Sequence, residues 1–187
     1  MKILILEGIA TSGKTTIKNK LEKYFDKKDL KYLVVEEDET LMPILHNTTK
    51  RLAIAHLKKV IEKALAQKKD ILIFDRLYFT HIFRTKSSIN DFKKIENLLK
   101  RSSLLIFLKI DKKKIGKRIS DTMNKRPKWA DYVCKKGNKK DIIKYYATQQ
   151  ELLLKLLKKS SVKHAIYNST KNNFKNITKD IINKLDL

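Results

Sequence analysis

A nine-residue segment near the N-terminus constrains the fold more than any other feature. Residues 8–16 read Gly-Ile-Ala-Thr-Ser-Gly-Lys-Thr-Thr, between an apolar run at 2–7 and an amphipathic stretch that begins at Lys14. This strand–loop–helix context fits the pattern G-x-x-x-x-G-K-[ST], in which inward-pointing N–H groups and a helix N-terminus cradle a polyphosphate. We expect Lys14 to reach the terminal phosphates and Thr15 to ligate Mg²⁺. The expected nucleotide-binding residues of this cradle are Gly8, Thr11, Ser12, Gly13, Lys14, Thr15 and Thr16.

Short apolar runs alternate with amphipathic stretches along the chain. The runs that fit buried parallel strands are 2–7, 32–36, 71–75, 104–110 and 162–168, and the helical stretches are 14–25, 50–67, 91–100, 112–124, 140–158 and 173–185. This alternation predicts an open α/β fold with a parallel sheet. The segment 125–139, with Pro127 and Gly137, is the least regular part, and we interpret it as a mobile loop or lid.

Length and composition exclude several classes of protein. A chain of 187 residues with 42% hydrophobic side chains is expected to form one domain, 1–187. Four glycines and two prolines argue against a β-sandwich, and the single cysteine, Cys134, excludes a disulfide framework. No apolar run is long enough for a signal sequence or a membrane span, which predicts a soluble, cytoplasmic protein without membrane partners.

The net charge of +24 has two interpretations. Only six of the 44 basic residues are arginines, so most of the charge is lysine, which favours a solvated surface with nonspecific nucleic-acid binding as a by-product. The excess is uneven, however, because residues 109–144 hold 14 basic and four acidic residues. A stretch this basic predicts a polyphosphate or a nucleic-acid backbone nearby.

A second motif ends the run at 71–75, which reads Ile-Leu-Ile-Phe-Asp and is followed by Arg76. A carboxylate at the end of a strand beside the cradle can hold the magnesium shell, and a guanidinium can bind a transferring phosphate. A helix N-cap is the alternative role for Asp75. We expect Asp75 to serve as a metal ligand and Arg76 to act in phosphoryl transfer.

Three segments together resemble thymidylate kinases and the wider group of P-loop nucleoside and nucleotide kinases. They are residues 6–16, the Asp-Arg-Leu-Tyr-Phe-Thr stretch at 75–80, and the Tyr145-Tyr146 helix with the following segment 165–170. The resemblance implies a three-layer fold with a five-stranded parallel sheet and helices on both faces, ATP·Mg²⁺ as donor, and a nucleoside or nucleotide acceptor. Thymidylate kinases are commonly dimers, so it also implies a homodimer.

The same resemblance implies roles for residues outside the two motifs. It places a basic lid at 111–140, whose Arg118 and Arg126 would close on the triphosphate, and it places Asn168 near the donor base. The alternatives are that Arg118 and Arg126 are exposed basic residues of the surface and that Asn168 belongs to a turn at the end of a strand. Tyr78, Phe79, Phe83 and Arg84 would line the acceptor pocket or pack in the core, and Trp129 would stack on a base or plug the lid.

The chain also departs from the thymidylate kinase pattern. Ala10 stands where that family carries an aspartate, and residues 36–39 read Glu-Glu-Asp-Glu in place of an Arg-Glu-Pro motif. In deoxynucleoside kinases a glutamate at the matching position is the base toward the sugar hydroxyl, a role that Glu36 or Glu37 could take here. Four clustered carboxylates favour a neutral hydroxyl acceptor, since like charges repel.

Two classes of function therefore remain open. The first is an ATP- and Mg²⁺-dependent kinase of a nucleoside or nucleoside monophosphate, with Lys14, Asp75, Arg76, Glu36, Arg118 and Arg126 in the catalytic site. The second, suggested by the charge, is a polynucleotide 5′-hydroxyl kinase or a nucleic-acid-binding ATPase.

Overall fold

A computed structural model describes residues 1–41, 43 and 49–187. Its sheet has five strands, which are β1 Lys2–Glu7, β2 Tyr32–Val35, β3 Ile71–Asp75, β4 Ser103–Lys109 and β5 Lys163–Asn168. They lie in the order β2-β3-β1-β4-β5, and every neighbouring pair is parallel. The predicted α/β fold with a five-stranded parallel sheet is confirmed.

Nine helices surround the sheet in the described ranges. They are α1 Lys14–Lys27, α2 Glu37–Thr40, α3 Lys50–Leu65, α4 Tyr78–Thr85, α5 Lys93–Leu99, α6 Lys112–Lys125, α7 Pro127–Cys134, α8 Lys139–Leu157 and α9 Phe174–Lys184. A 3-10 turn, Ile89–Phe92, precedes α5. None of the helices in the described part of the chain is both long and apolar enough to cross a bilayer.

The strands divide their side chains between two apolar layers. Ile3 and Ile5 of β1 belong to a core with α3, α4, α5 and the end of α8, whereas Leu4 and Leu6 belong to a core with α1 and α9. This alternation is what a strand buried on both faces requires. Helices therefore cover both faces of the sheet, and the carboxyl ends of the strands meet at one edge, where ligands bind in open α/β folds.

The expectation of an irregular segment at 125–139 was wrong over most of its length, because α7 occupies Pro127–Cys134. Proline starts a helix well, since its missing N–H would have no partner in the first turn. Val133 is fully buried, and Trp129 packs on the same apolar cluster as Ile115 and Ile142. The helix thus carries an apolar face onto a third, smaller core between α6 and α8.

Candidate active site

The cradle between β1 and α1 has the backbone that its glycines predict. Gly8 has φ +142° and Gly13 has φ +97°, in a region that favours glycine. A Cβ on Gly8 would lie 2.5 Å from the backbone oxygen of Leu108, and one on Gly13 would lie 2.3 Å from the ring of Phe174. The nearby backbone of Leu108 therefore requires glycine at position 8, the positive φ favours glycine at both positions, and α1 begins immediately after Gly13.

Lys14 points back into its own loop. Its Nζ donates to the carbonyl oxygens of Gly8 and Ile9, each at 3.3 Å, and the residue is only 6% exposed. Burial, together with the nearby charge of Arg76, lowers the pKa of Lys14 to about 8. A buried ammonium with only long bonds to carbonyls is suited to exchange them for phosphate oxygens.

Asp75 lies beside the cradle because β3 pairs with β1, in a register that sets Asp75 opposite Leu6. The side chain is buried, and its Oδ1 has no hydrogen-bond partner among the described residues. Its Oδ2 lies 3.9 Å from Nζ of Lys18. An unpartnered buried carboxylate oxygen fits a cation ligand, and Mg²⁺ commonly takes one or two protein oxygens plus water and phosphate.

Arg76 joins three parts of the site. Its backbone is left-handed, with φ +64°, and its Nη1 donates to the carbonyl oxygen of Gly8 at 2.9 Å. Its Nε lies 3.0 Å from Oε1 of Glu37 at the start of α2. Burial alone would lower the pKa of Arg76, but Glu37, Glu7 and Asp75 outweigh burial and raise it. The guanidinium therefore stays charged inside the protein.

The structure separates the two glutamates that the sequence left as alternatives. Glu37 lines the cavity described below, and Arg76 and Lys14 lower its pKa against the opposing effect of burial. Glu36 is not among the residues that line this cavity; its Oε1 accepts from Nζ of Lys18 at 2.6 Å. Of the two, Glu37 is therefore the carboxylate presented to a ligand.

A second group of polar and aromatic side chains faces the cradle from α4, α7 and α8. Nη2 of Arg84 donates to the hydroxyl of Tyr132 at 2.9 Å, and Nζ of Lys136 lies 3.7 Å from the centre of the Tyr132 ring. The same ammonium lies 4.9 Å from the ring centre of Tyr145, which packs edge-on against Phe83. Burial would raise the pKa of Tyr132, but Arg84 and Lys136 lower it.

The predicted lid arginines occupy different surroundings. Arg118 lines the cavity, donates from Nη2 to the backbone oxygen of Ser169 at 2.5 Å and lies 6.0 Å from the ring centre of Phe174. Arg126 is exposed at the start of α7 and also lines the cavity. Asn168 does not line it; its side chain donates to Asp111 and accepts from the N–H of Thr170.

One cavity of about 590 Å³ connects these groups. Thr11, Gly13, Lys14, Thr15 and Thr16 of the predicted cradle line it, whereas Gly8 and Ser12 lie behind the loop surface. Its basic lining side chains are Lys14, Arg76, Arg84, Arg118, Lys125, Arg126 and Lys136, and its acidic ones are Glu37, Asp38 and Asp75. The excess of positive charge makes the cavity a site for anions.

Other predicted side chains pack elsewhere. Tyr78 and Phe79 are fully buried in the core and do not line the cavity, so core packing is the correct alternative for both. Trp129 lines the cavity with one face and packs on Tyr146 with ring centres 6.4 Å apart.

Sequence reasoning missed several residues at the site or directly beside it, which include Glu7, Lys18, Tyr132, Lys136 and Phe174. Glu7 had a signal, because it is a charged residue that ends an apolar strand directly before the cradle. Lys18 also had one, since it follows Lys14 by four residues and so shares its helix face. Phe174 had none, because its ring reaches Gly13 only through the packing of α9 on α1.

Comparisons with known proteins show the family and the fold of this chain. A family model described as "Chromatin associated protein KTI12" matches residues 1–185, so the chain belongs to this family. The YorR protein of Bacillus subtilis, solved in complex with phosphorylated GDP, superposes with a TM-score of 0.72 at 19% identity, over 100% of this chain and 96% of that chain. Shikimate kinase from Bacteroides thetaiotaomicron superposes with a TM-score of 0.61 at 12% identity, over 100% and 99%.

These similarities show that the chain has the fold of P-loop kinases. No curated protein matches it in sequence. The likeness to thymidylate kinases stays a prediction from the motifs.

Proposed function

We propose that this protein is an ATP- and Mg²⁺-dependent kinase that phosphorylates a nucleoside or a nucleoside monophosphate. The observation that carries the proposal is the joining of two compartments in one cavity. One compartment is the cradle with Lys14, Asp75 and Arg76, and the other is the aromatic and basic group around Tyr132 and Tyr145. A donor and a planar acceptor can therefore lie within reach of each other, which is the main requirement for phosphoryl transfer.

In the donor compartment, the cradle amides and Lys14 would hold the terminal phosphates. Arg118 and the ring of Phe174 would lie on the side of the donor base, where the guanidinium and the ring already face each other. Thr15 and Asp75 would hold Mg²⁺, which neutralises charge on the phosphates when bound. Oδ1 of Asp75 supports this assignment, since it has no hydrogen-bond partner in the described part of the chain.

In the acceptor compartment, Glu37 would orient or deprotonate the accepting group. Arg76 of the cradle contacts Glu37 at the boundary between the compartments and would bind the transferring phosphoryl. The charge of this compartment favours a neutral hydroxyl acceptor less than the sequence alone suggests. Two of the four clustered carboxylates are paired, Glu36 with Lys18 and Glu37 with Arg76. An acceptor that already carries a phosphate is therefore compatible with this compartment.

The segment 111–140 would act as the lid. Arg118, Lys125, Arg126, Trp129 and Tyr132 of α6 and α7 all reach the cavity, so a small movement of these two helices would open or close it. Closure would bring basic side chains toward the triphosphate and exclude water, as lids of kinases do.

A panel of nucleosides and nucleoside monophosphates, incubated with ATP, Mg²⁺ and the purified protein, tests the proposal. We expect one acceptor, or a small set of related acceptors, to raise ATP consumption above background. The same acceptors should not raise ATP consumption by the Lys14→Met variant. Equal ATP consumption with and without every acceptor would contradict the proposal.

A second candidate function is a polynucleotide 5′-hydroxyl kinase or a nucleic-acid-stimulated ATPase. It is favoured by the exposed lysines 112–114 at the start of α6, the helix that also lines the cavity. The description of the family as chromatin-associated is consistent with it. Measurements of oligonucleotide binding and of ATP turnover across a salt series test this candidate. Binding that falls steeply with salt, without any stimulation of ATP turnover, would show that the basic surface attracts nucleic acid only nonspecifically.

A further inference from the structure

Glu7 is a fully buried carboxylate at the end of β1, directly before the cradle. Removing a carboxylate from water costs several kcal/mol of free energy unless partners compensate for it. Burial accordingly raises the pKa of Glu7, while the N–H of Leu77 and the charges of Arg76 and Lys14 oppose the rise. The contacts of this buried carboxyl group with the residues around the cradle indicate what it does there.

Both oxygens of Glu7 are bound to the segment that carries Arg76. Oε1 accepts from the backbone N–H of Leu77 at 2.9 Å, and Oε2 accepts from the hydroxyl of Thr80 at 3.2 Å. The hydroxyl oxygen of Thr80 in turn accepts from Nη1 of Arg76 at 3.4 Å, and the same Nη1 donates to the carbonyl oxygen of Gly8 at 2.9 Å. The carboxylate therefore reaches the guanidinium through one hydroxyl group.

The backbone contact has a separate effect on Arg76. A left-handed backbone at a residue with a side chain costs about 1–2 kcal/mol, and Arg76 adopts one with φ +64°. The bond from the N–H of Leu77 to Glu7 fixes the peptide group that follows Arg76, and the N–H of Arg76 donates to the carbonyl oxygen of Leu6 at 3.0 Å. Both peptide groups that flank the strained residue are thus tied to the end of β1.

We propose that Glu7 is a positioning residue, which holds the Arg76 guanidinium at the cradle by binding both the backbone after Arg76 and the hydroxyl of Thr80. The inference rests on the proposed function, since it assigns Arg76 its place in phosphoryl transfer. Glu7 itself does not line the cavity, so it acts through Arg76 and not on the ligand.

A double-mutant cycle between Glu7→Gln and Arg76→Ala tests the proposal. Glutamine keeps the size of the side chain and can still accept from Leu77, but its NH2 group cannot accept from the hydroxyl of Thr80. We expect Glu7→Gln to lower kcat about 10- to 100-fold, while the Kd for ATP changes less than about two-fold. In the Arg76→Ala background the same substitution should lower kcat less than about two-fold. Equal losses in both backgrounds would overturn the inference.

Two further variants separate positioning from general destabilisation. Glu96→Gln is the matched control, because Glu96 is also a buried carboxylate but binds Tyr78 and Ser160 away from the cavity. The kcat of Glu96→Gln should stay within about two-fold of the wild-type value. If Glu7→Gln does not fold, Thr80→Val removes the bridging hydroxyl instead, and its effect on kcat should likewise vanish in the Arg76→Ala background. Persistence of the effect there would overturn the inference.

The Nε–H signal of Arg76 in ¹⁵N-resolved NMR distinguishes failure of this inference from failure of the proposed function. If the wild-type protein phosphorylates no acceptor, the proposed function fails, and the NMR signal alone decides the inference. We expect Glu7→Gln to shift this signal and to speed its exchange with solvent about ten-fold or more, whereas Glu96→Gln leaves it unchanged. An unchanged Arg76 signal in Glu7→Gln would overturn the positioning role.

Discussion

Arg76 and Glu37 form an ion pair inside the cavity, with Nε of the arginine 3.0 Å from Oε1 of the glutamate. The arginine side chain is 7% exposed and the glutamate side chain 40%, so the pair lies at the boundary between the protein interior and the cavity. Nη1 of the same guanidinium donates to the carbonyl oxygen of Gly8 at 2.9 Å. A phosphate bound to Arg76 would share the guanidinium with Glu37, so under the proposed function the pair places the phosphate beside the carboxylate that would orient the accepting group.

The first prediction compares Glu37→Gln with Glu36→Gln. We expect Glu37→Gln to lower kcat about 100-fold, because it removes the carboxylate presented to the acceptor. Glu36→Gln should change kcat less than about three-fold, since it removes only a partly exposed ion pair with Lys18, worth about 1 kcal/mol or less. Steady-state kinetics with the preferred acceptor measures both. A larger loss of kcat in Glu36→Gln than in Glu37→Gln would show that Glu36, and not Glu37, acts on the acceptor.

The second prediction concerns the glycine that precedes α1. Gly13→Ala should destabilise the protein by about 1–3 kcal/mol and abolish ATP binding, because Gly13 has φ +97° and its new methyl group would meet the ring of Phe174. Denaturant unfolding and calorimetric ATP titration measure the two effects.

Gly116→Ala is the matched control for this substitution. Gly116 lies inside α6, where alanine is favoured by about 1 kcal/mol, and its Cβ would meet only the movable end of the Ile143 side chain, at 2.7 Å. We expect stability near that of wild type and unchanged ATP affinity. Equal losses in the two variants would contradict a special requirement at Gly13.

The third prediction is a pH dependence of stability caused by His81. The ring lies between two backbone carbonyls, with Nδ1 2.6 Å from the oxygen of Leu77 and Nε2 2.9 Å from that of Thr40. Burial lowers the pKa of His81 to about 4 from an ordinary value of 6.5, against the opposing effect of these carbonyls. Between these pH values the unfolded chain binds a proton that the folded protein does not.

The free energy of unfolding should therefore fall as pH is lowered from 6.5 to 4, by at most about 3 kcal/mol from this group. Urea unfolding of the wild-type protein and of His81→Asn across this range isolates the contribution. The variant should be less stable at pH 7 and show a shallower loss toward pH 4. Parallel curves would contradict the assignment to His81.

The fold was predictable because its signals are local. Each apolar run lies between turn-forming or charged residues, and the predicted strand at 71–75 has the bounds that the structure gives to β3. The cradle was predictable for the same reason, since strand, loop and helix are contiguous in the chain. Helix α7 is harder to predict, because Pro127 indicates a break in the chain as readily as the first residue of a helix.

The pairings within the site could not be predicted from the sequence. Arg76 meets Glu37 only because β2 and β3 are neighbours, and a sequence does not state the order of its strands. The choice between Glu36 and Glu37 depends on how the first turn of α2 leaves the strand, which sends Glu36 to Lys18 and Glu37 to the cavity. The contacts of Glu7 with Leu77 and Thr80 likewise require two strands to end side by side.

Transfer of an isotopically labelled γ-phosphoryl group from ATP tests the central claim most directly. The measurement follows the label in a single turnover, with wild-type protein, Lys14→Met and Asp75→Asn in parallel. We predict that the label appears covalently bound to a nucleoside or nucleoside monophosphate in the wild-type reaction and in neither variant. Label that appears only as inorganic phosphate with every acceptor, or transfer that survives Lys14→Met, would contradict the account.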